Sequence, residues 1–348
     1  MVTIKEVAEK AGVSITTVSH VVNETRYVSD ELTEKVYEAM RDLSYRPNIV
    51  ARSLRSGQTK TIGLILPDIS NPFFAEFSRK IEDKGFTFGY NVILCNADED
   101  DDKQQRYIDV LLSKQVDGLI FFSTGHLDTI NQTLDKYDIP VVITDREPEG
   151  VHTDIVLIDN RMGGYQAARY LLSLGHRRIA CISGPSLIRP SAQRVGGYRA
   201  ALEEAGIEVD EDLIRTGNFR FDSGETQMRH LMSLPNPPTA VFTCNDVMAL
   251  GAMKAVQSAG LRVPEDFSIV GFDNSPLSQM VYPQLTTISQ PVKEMADLTV
   301  ELLVEKIDLK EHQKRNKGLM PEYKRIVLDT KLVIRESCMS IAREAQKN

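Results

Sequence analysis

The chain has 348 residues, 42% of them hydrophobic and 26% charged, with a formal net charge of −8. That length fits about two or three domains, the balance is that of a folded soluble chain, and no apolar run approaches the roughly 20 residues of a membrane span. The acidic total argues against a uniformly basic nucleic-acid binder, yet it hides an asymmetry: residues 1–60 carry +1 and the remainder −9. Within residues 41–60, Arg41, Arg46, Arg52, Arg55 and Lys60 stand against Asp42 alone. A small basic segment on an acidic body is expected where only one end meets phosphate.

In chain order, MVTIKEVAEKAG is polar and lacks the apolar core of a secretory signal. Within it, Thr3 and Glu6 match a capping box, predicting a helix to about Lys10 with Gly12 near its C-terminal end. Ser14 can cap a second helix from Ile15 to about Val22. Ser29, followed by Asp30 and Glu31, opens a third through Leu43. Val7, Val13, Val18, Val21, Leu32, Val36, Met40 and Leu43 would make the small core. Helix, Ala-Gly turn, helix is the helix-turn-helix pattern, whose second helix enters the major groove. There Thr16 and Thr17 occupy the first turn, with Ser19 and His20 one turn on. Hydroxyls can reach phosphate or a thymine methyl, and His20 can donate to guanine N7 or O6.

These residues carry a resemblance. TIKEVAEKAGVSITTVSHVVNETRYVSDELTEKV, continued by YRPNIVARSLRSGQTKTIGLI, resembles the LacI/GalR family of bacterial transcription repressors, and the likeness extends over nearly the whole chain. It implies DNA contacts at Thr16, Thr17, His20 and Arg26, to which the exposed face of the second helix adds Ser19. It also implies that PNIVARSLRSG is a hinge that becomes helical only on operator DNA, with Leu54 wedged between base pairs of the minor groove and Arg55 beside it. The physics agrees. About nine residues are too short for a stable isolated helix, so folding would be coupled to binding. An exposed leucine gains a partner by unstacking one base step.

From residue 61 onward, short β-rich runs alternate with helical stretches. TIGLILP, NVILCNA, DGLIFFS and IPVVITD form one set; IVLIDN, RRIACISGP, DLIRTGN, TAVFTCND and FSIVGFDN form a second. Such alternation predicts parallel sheets covered by helices, here in two similar lobes. The resemblance implies the type I periplasmic-binding-protein fold, with three crossings between lobes, expected near Asn160, Pro291 and Pro321. The expected organisation is a DNA-binding domain at 1–46 and a hinge at 47–60. A first lobe would take 61–160 plus 292–321, and a second 161–291 plus 322–340. RIVLDTKLVI would finish the second lobe, and the charged stretch Lys306 to Arg325 would be a crossing.

Ligands of open α/β sheets lie beyond the carboxyl ends of the strands. That rule selects Asp68, Asn71, Phe73, Phe74, Asp145, Arg146, Asn245, Asp246, Asp273 and Asn274. Asn71-Pro72 is also a helix start, so Asn71 fits capping as well as binding. Planar hydrogen-bonding groups and aromatic faces are what a polyhydroxylated ring needs. The resemblance adds Arg194, Phe219 and Gln290. It makes Asn71, Phe73, Phe74, Asp145, Arg146, Arg194, Phe219, Asn245, Asp273 and Gln290 look like the pocket of ribose-type binding proteins. Purine-binding relatives tend to differ at the Asp145-Arg146 pair.

The remaining motifs are plain. The acidic run 98–102 suits a helix start, and the Gly163-Gly164 and Gly196-Gly197 pairs suit close helix packing. The six histidines form no ligand cluster. The four cysteines, Cys95, Cys181, Cys244 and Cys338, show no CxxC or zinc spacing, so free thiols in a reducing cytoplasm are expected. No phosphate-binding loop or catalytic triad pattern supports an enzyme, and no cofactor or metal is expected. The expectation is a dimeric repressor on double-stranded operator DNA, without membrane association, controlled by a monosaccharide, pentose before hexose. A purine or a phosphorylated partner protein, as in the catabolite-control branch, stays open as the effector. A sugar receptor without a regulatory role would leave residues 1–60 unexplained.

Overall fold

A computed structural model describes residues 2–23, 26–46, 57–122, 136–146, 152–313 and 323–341. They fall into two units, divided after Lys60. The expected hinge contacts Leu54 and Arg55 lie outside the described residues.

The first unit holds α1 (Ile4–Ala11), α2 (Ile15–Asn23) and α3 (Asp30–Asp42). The capping box at Thr3 and Glu6 is present, and Gly12 ends α1 at φ 67°, a left-handed conformation that glycine adopts without strain. Ser14 Oγ accepts from the Thr17 N–H at 3.0 Å and so starts α2. Ser29 precedes α3 without making a side-chain cap bond. Val7, Ala8, Val18, Val21, Val36 and Ala39 form the buried centre. Leu32, expected there, is only half-buried.

The second unit contains β1 (Thr61–Leu66), α4 (Pro72–Thr87), β2 (Asn91–Asn96), α5 (Asp101–Ser113), β3 (Gly118–Phe122), β4 (Val141–Thr144) and β5 (Asp154–Ile158). Then come α6 (Asn160–Ser173), β6 (Ile179–Ser183), α7 (Arg189–Glu204), β7 (Ile214–Thr216), α8 (Phe221–Met232), β8 (Ala240–Thr243) and α9 (Asp246–Ser258). β9 (Ser268–Asp273), α10 (Leu277–Met280), β10 (Thr286–Ser289), α11 (Val292–Gln313), β11 (Arg325–Leu328) and β12 (Lys331–Val333) follow. Strands order as β11-β5-β4-β3-β1-β2 in one sheet and β12-β10-β9-β8-β6-β7 in the other. The first sheet is parallel throughout, and the second is parallel except for β12 against β10. The central strands are buried along their whole length, as helices on both faces require.

The chain passes between sheets at Asp159–Asn160, Gln290–Pro291 and Asp329–Thr330. IVLIDN, grouped above with the second set, is the last consecutive strand of the first sheet. The third crossing lies beyond the expected Pro321, because β5 still has an open edge that Arg325–Leu328 fills in parallel register. Asp154 Oδ1 fixes that register by accepting from the Lys324 N–H at 2.6 Å. RIVLDTKLVI is therefore two strands in two lobes. The charged stretch from Lys306 is also not a crossing in its first half. It continues α11 to Gln313, with Leu303 and Ile307 buried and Lys306 3.3 Å from buried Asp154.

Close helix packing occurs where the paired glycines predicted it. A Cβ on Gly164 would lie 2.0 Å from the Arg194 carbonyl oxygen, and one on Gly197 1.9 Å from that of Arg161. The backbones of α6 and α7 touch only because no side chain stands between them.

Candidate functional site

In the first unit the exposed side of α2 carries the expected DNA contacts. Thr16 is exposed, His20 is half-buried, and Arg26 is exposed just past the helix. The Thr17 hydroxyl lies 2.9 Å from that of Ser14, and Ser19 Oγ accepts from Asn23 at 3.3 Å, so both are partly engaged in holding the helix. Ile15, not among the expected contacts, shares this exposed surface. It is a β-branched apolar residue, half-exposed at the first position of α2 and absent from the core. An apolar residue outside the helix's buried stripe was the available signal.

In the second unit the ten expected ligand residues line one cavity of about 100 Å³ between the lobes. The first lobe contributes Asn71, Phe73 and Phe74 at the start of α4, and Asp145 and Arg146 after β4. The second contributes Arg194 on α7, Phe219 before α8, Asn245 before α9, Asp273 closing β9 and Gln290 after β10. Asn71 lines the cavity and also caps α4, accepting from the Phe73 N–H at 3.1 Å. Phe73 and Phe74 pack edge to face with centroids 5.1 Å apart, and Phe74 packs likewise on Phe122. Gly184 makes room for Phe219, whose ring would lie 2.1 Å from a Cβ there.

The polar members form a dense network. Arg194 lies over the Phe272 ring at 3.7 Å, donates to Asn160 Oδ1 at 2.8 Å and to the Cys244 carbonyl at 2.5 Å, and stands 3.8 Å from Asp273 Oδ1. Gln290 Nε2 donates to Asp273 Oδ1 at 2.7 Å. Asn245 caps α9 through Met248 and donates to the Phe219 carbonyl at 2.9 Å. Burial pushes the Asp145 carboxyl above its ordinary range against the pull of Arg146 and Arg194. It pushes Asp273 well above that range, again opposed first by Arg194. Asp145 Oδ1, Arg146 Nε and Nη1, and Gln290 Oε1 are buried with no hydrogen-bond partner among the described residues. Such groups are rare in native folds unless a ligand or water meets them.

Backbone conformation singles out the same place. Asp98, Glu99, Asp145, Phe219 and Asp273 line the cavity, and they are five of the nine described non-glycine residues with positive φ. Strain of this kind gathers at functional sites.

Two residues chosen by the strand-end rule lie elsewhere. Asp246 is buried behind the cavity, accepting from Thr287 Oγ1 at 2.6 Å and the Ser275 N–H at 2.7 Å. Asn274 accepts from Arg335 at 2.6 Å and lines an adjoining groove beside the second crossing, which shares Asp273 and Gln290 with the cavity. Asp68 does line the cavity, with Arg220 of the facing lobe 4.0 Å away. Pro67, Asp98, Glu99, Ile188, Pro190, Asn218 and Arg220 complete the lining without having been read as binding residues. Among the described residues no cluster of metal-ligating side chains occurs, and no helix is long and apolar enough to cross a membrane.

Residues 3–48 match the model of the LacI family of bacterial regulatory proteins, and residues 59–321 that of periplasmic binding proteins and the sugar-binding domain of the LacI family. The chain belongs to the LacI family. Members are regulators rather than enzymes. This LacI-family chain is 42% identical over 323 residues to the HTH-type transcriptional repressor PurR of Vibrio atlanticus (strain LGP32), covering 92% of the chain and 97% of that relative. It is 39% identical over 322 residues to the ribose operon repressor of Escherichia coli (strain K12), covering 92% and 98%. Among solved structures, the Lac repressor dimer bound to operator and the anti-inducer ONPF matches at TM-score 0.83 with 29% identity, covering 97% of this chain and 99% of that one.

Proposed function

We propose that this LacI-family repressor binds a palindromic operator as a homodimer and answers to a small neutral sugar, a pentose such as ribose, held between its lobes. As a DNA-bound regulator it works in the cytoplasm. The observation that carries the effector reading is the set of buried polar atoms on Asp145, Arg146 and Gln290 that have no hydrogen-bond partner among the described residues, beside Phe73, Phe74 and Phe219. Acceptors and donors side by side suit vicinal hydroxyls, each of which gives and takes a hydrogen bond. Aromatic faces suit the C–H side of a sugar ring. The likeness to the ribose operon repressor supports the sugar, and that to PurR keeps the purine as the competing ligand.

On the DNA side, Ile15, Thr16, His20 and Arg26 present apolar, hydroxyl and cationic groups suited to base edges and phosphate. The Leu54 wedge and Arg55 belong to the same reading. Two-fold symmetry sets two recognition helices on related half-sites.

The test is a calorimetric titration with ribose, other pentoses, hexoses, hypoxanthine and guanine, paired with operator titrations in each tight ligand. Ribose binding that changes operator affinity is the expected result. Binding of a purine alone overturns the sugar reading and leaves the repressor reading standing. A monomer on a single asymmetric half-site, or DNA affinity that is flat between low and physiological salt, overturns the DNA reading.

A further inference from the structure

In sequence, the acidic run at 98–102 reads as a helix start and nothing more. Asp100 does cap α5, accepting from the Lys103 N–H at 2.9 Å. Asp98 and Glu99 differ: both line the cavity, at φ 56° and 57°. Two consecutive left-handed residues with side chains persist only where the surroundings hold them. Asn96 and Lys103 do part of that holding. Asn96 Oδ1 accepts from the Ile69 N–H at 2.6 Å, and both Asn96 and Lys103 donate to Asp98. The Asp98–Glu99 loop is thereby stitched to the loop that carries Asp68.

Glu99 uses this position for a contact with Arg146, accepting from Nη2 at 3.1 Å. Arg146 is buried, its Nε and Nη1 have no hydrogen-bond partner among the described residues, and Nε stands 3.7 Å from Asp145 Oδ2. A guanidinium is a planar fork, so holding one edge fixes the direction of the others. We propose that Glu99 is a positioning residue for the effector cavity: it holds one edge of Arg146 so that Nε and Nη1 are presented to hydroxyls of the bound sugar. The proposal rests on the sugar reading of the cavity. Without Glu99 the guanidinium can close the gap to Asp145, and that pairing takes donors and an acceptor from the ligand together.

Glu99→Gln in the full chain tests it with two readouts. The first is ¹⁵N relaxation of the Arg146 Nε–Hε group without ligand, expected rigid in wild type and mobile in the variant. The second is calorimetry with ribose and its single-deoxy analogues. Ribose affinity should fall about tenfold, the difference between a charge-assisted hydrogen bond holding Arg146 and a neutral one. The penalty for removing the hydroxyl that meets Arg146 should shrink to within about twofold in the variant, while penalties for the other hydroxyls stay as in wild type. A merely structural role would weaken all analogues alike, and that result overturns the proposal. So does unchanged ribose affinity, or an Arg146 group equally rigid in both proteins. If wild type takes no ribose, the sugar reading fails, and the relaxation result alone decides whether Glu99 positions Arg146.

Discussion

Asp273→Asn should move stability and affinity in opposite directions. Asp273 is 6% exposed, with Gln290 on Oδ1 at 2.7 Å and Arg194 Nη1 at 3.8 Å. Burial raises its carboxyl well above the ordinary range, and Arg194 offsets only part of this. An acid with a raised folded pKa contributes stability at low pH that is lost as pH rises through the folded value. The amide escapes that loss, so the ligand-free variant should melt at or above wild type at pH 8, with the difference narrowing toward pH 5. Ligand reverses the order. Gln290 occupies Oδ1, which leaves Oδ2 to accept from a hydroxyl of the proposed sugar, a charge-assisted bond where pH 8 has ionised the carboxyl. Replacing a charge-assisted bond (about 1.5–3 kcal/mol) by a neutral one (about 0.5–1.5 kcal/mol) costs about 1–1.5 kcal/mol, or about tenfold in Kd. Scanning calorimetry at the two pH values and a ribose titration read both effects. A variant that melts lower at both pH values while binding more weakly would show Asp273 to be a structural prop, and the reasoning would fail.

Three further outcomes are expected. His20→Ala should cost about 1–3 kcal/mol of operator affinity and relax preference at one base pair per half-site, as measured on a panel of operator variants; uniform weakening across the panel would remove His20 from base reading. Burial raises the Asp246 carboxyl to about 6 despite its bonds from Thr287 and Ser275. The stability of wild type relative to Asp246→Asn, from urea midpoints, should therefore fall as pH rises from about 4 to about 6 and level off above; a constant difference contradicts the assignment. Gly197→Ala should lose about 1–3 kcal/mol or more in urea unfolding, because its Cβ would meet the Arg161 backbone at 1.9 Å. Gly196→Ala, whose nearest neighbour is the flexible end of Arg161 at 3.1 Å, should stay within about 1 kcal/mol of wild type.

Much of this was legible in the chain. Strand runs such as GLIFF and VVIT are continuous apolar segments, and the rule that ligands lie at strand carboxyl ends is geometric, so it reached eight of the eighteen residues that line the cavity, to which the family resemblance added Arg194, Phe219 and Gln290. It over-reached at Asp246, because an N-terminal helix residue beside the site can turn inward to Thr287 and Ser275 as easily as outward. It under-reached at Glu99 and Arg220, which come from loops whose side-chain direction depends on positive φ and on the facing lobe. The break between β11 and β12 was hidden because Asp329-Thr330 interrupts the apolar pattern without a glycine or proline to mark a turn. The reach of α11 was hidden by its charges, since Lys306 and Lys310 look solvated in sequence but pair with Asp154 and Asp138.

The threading of the body through its two sheets has a consequence for synthesis. β5 leaves the ribosome with its outer edge bare, and its partner β11 begins only at Arg325. At roughly 5–20 residues per second the intervening chain takes roughly 10–30 s to make. Through that interval the first sheet lacks both its closing strand and, until α11 arrives, a covering helix, while the three-helix unit ahead of it has long had every residue it needs to fold. A nascent repressor can thus present a finished recognition helix before it owns a cavity able to sense anything, and a chain that stalls before Arg325 would be a DNA-binding head without a switch.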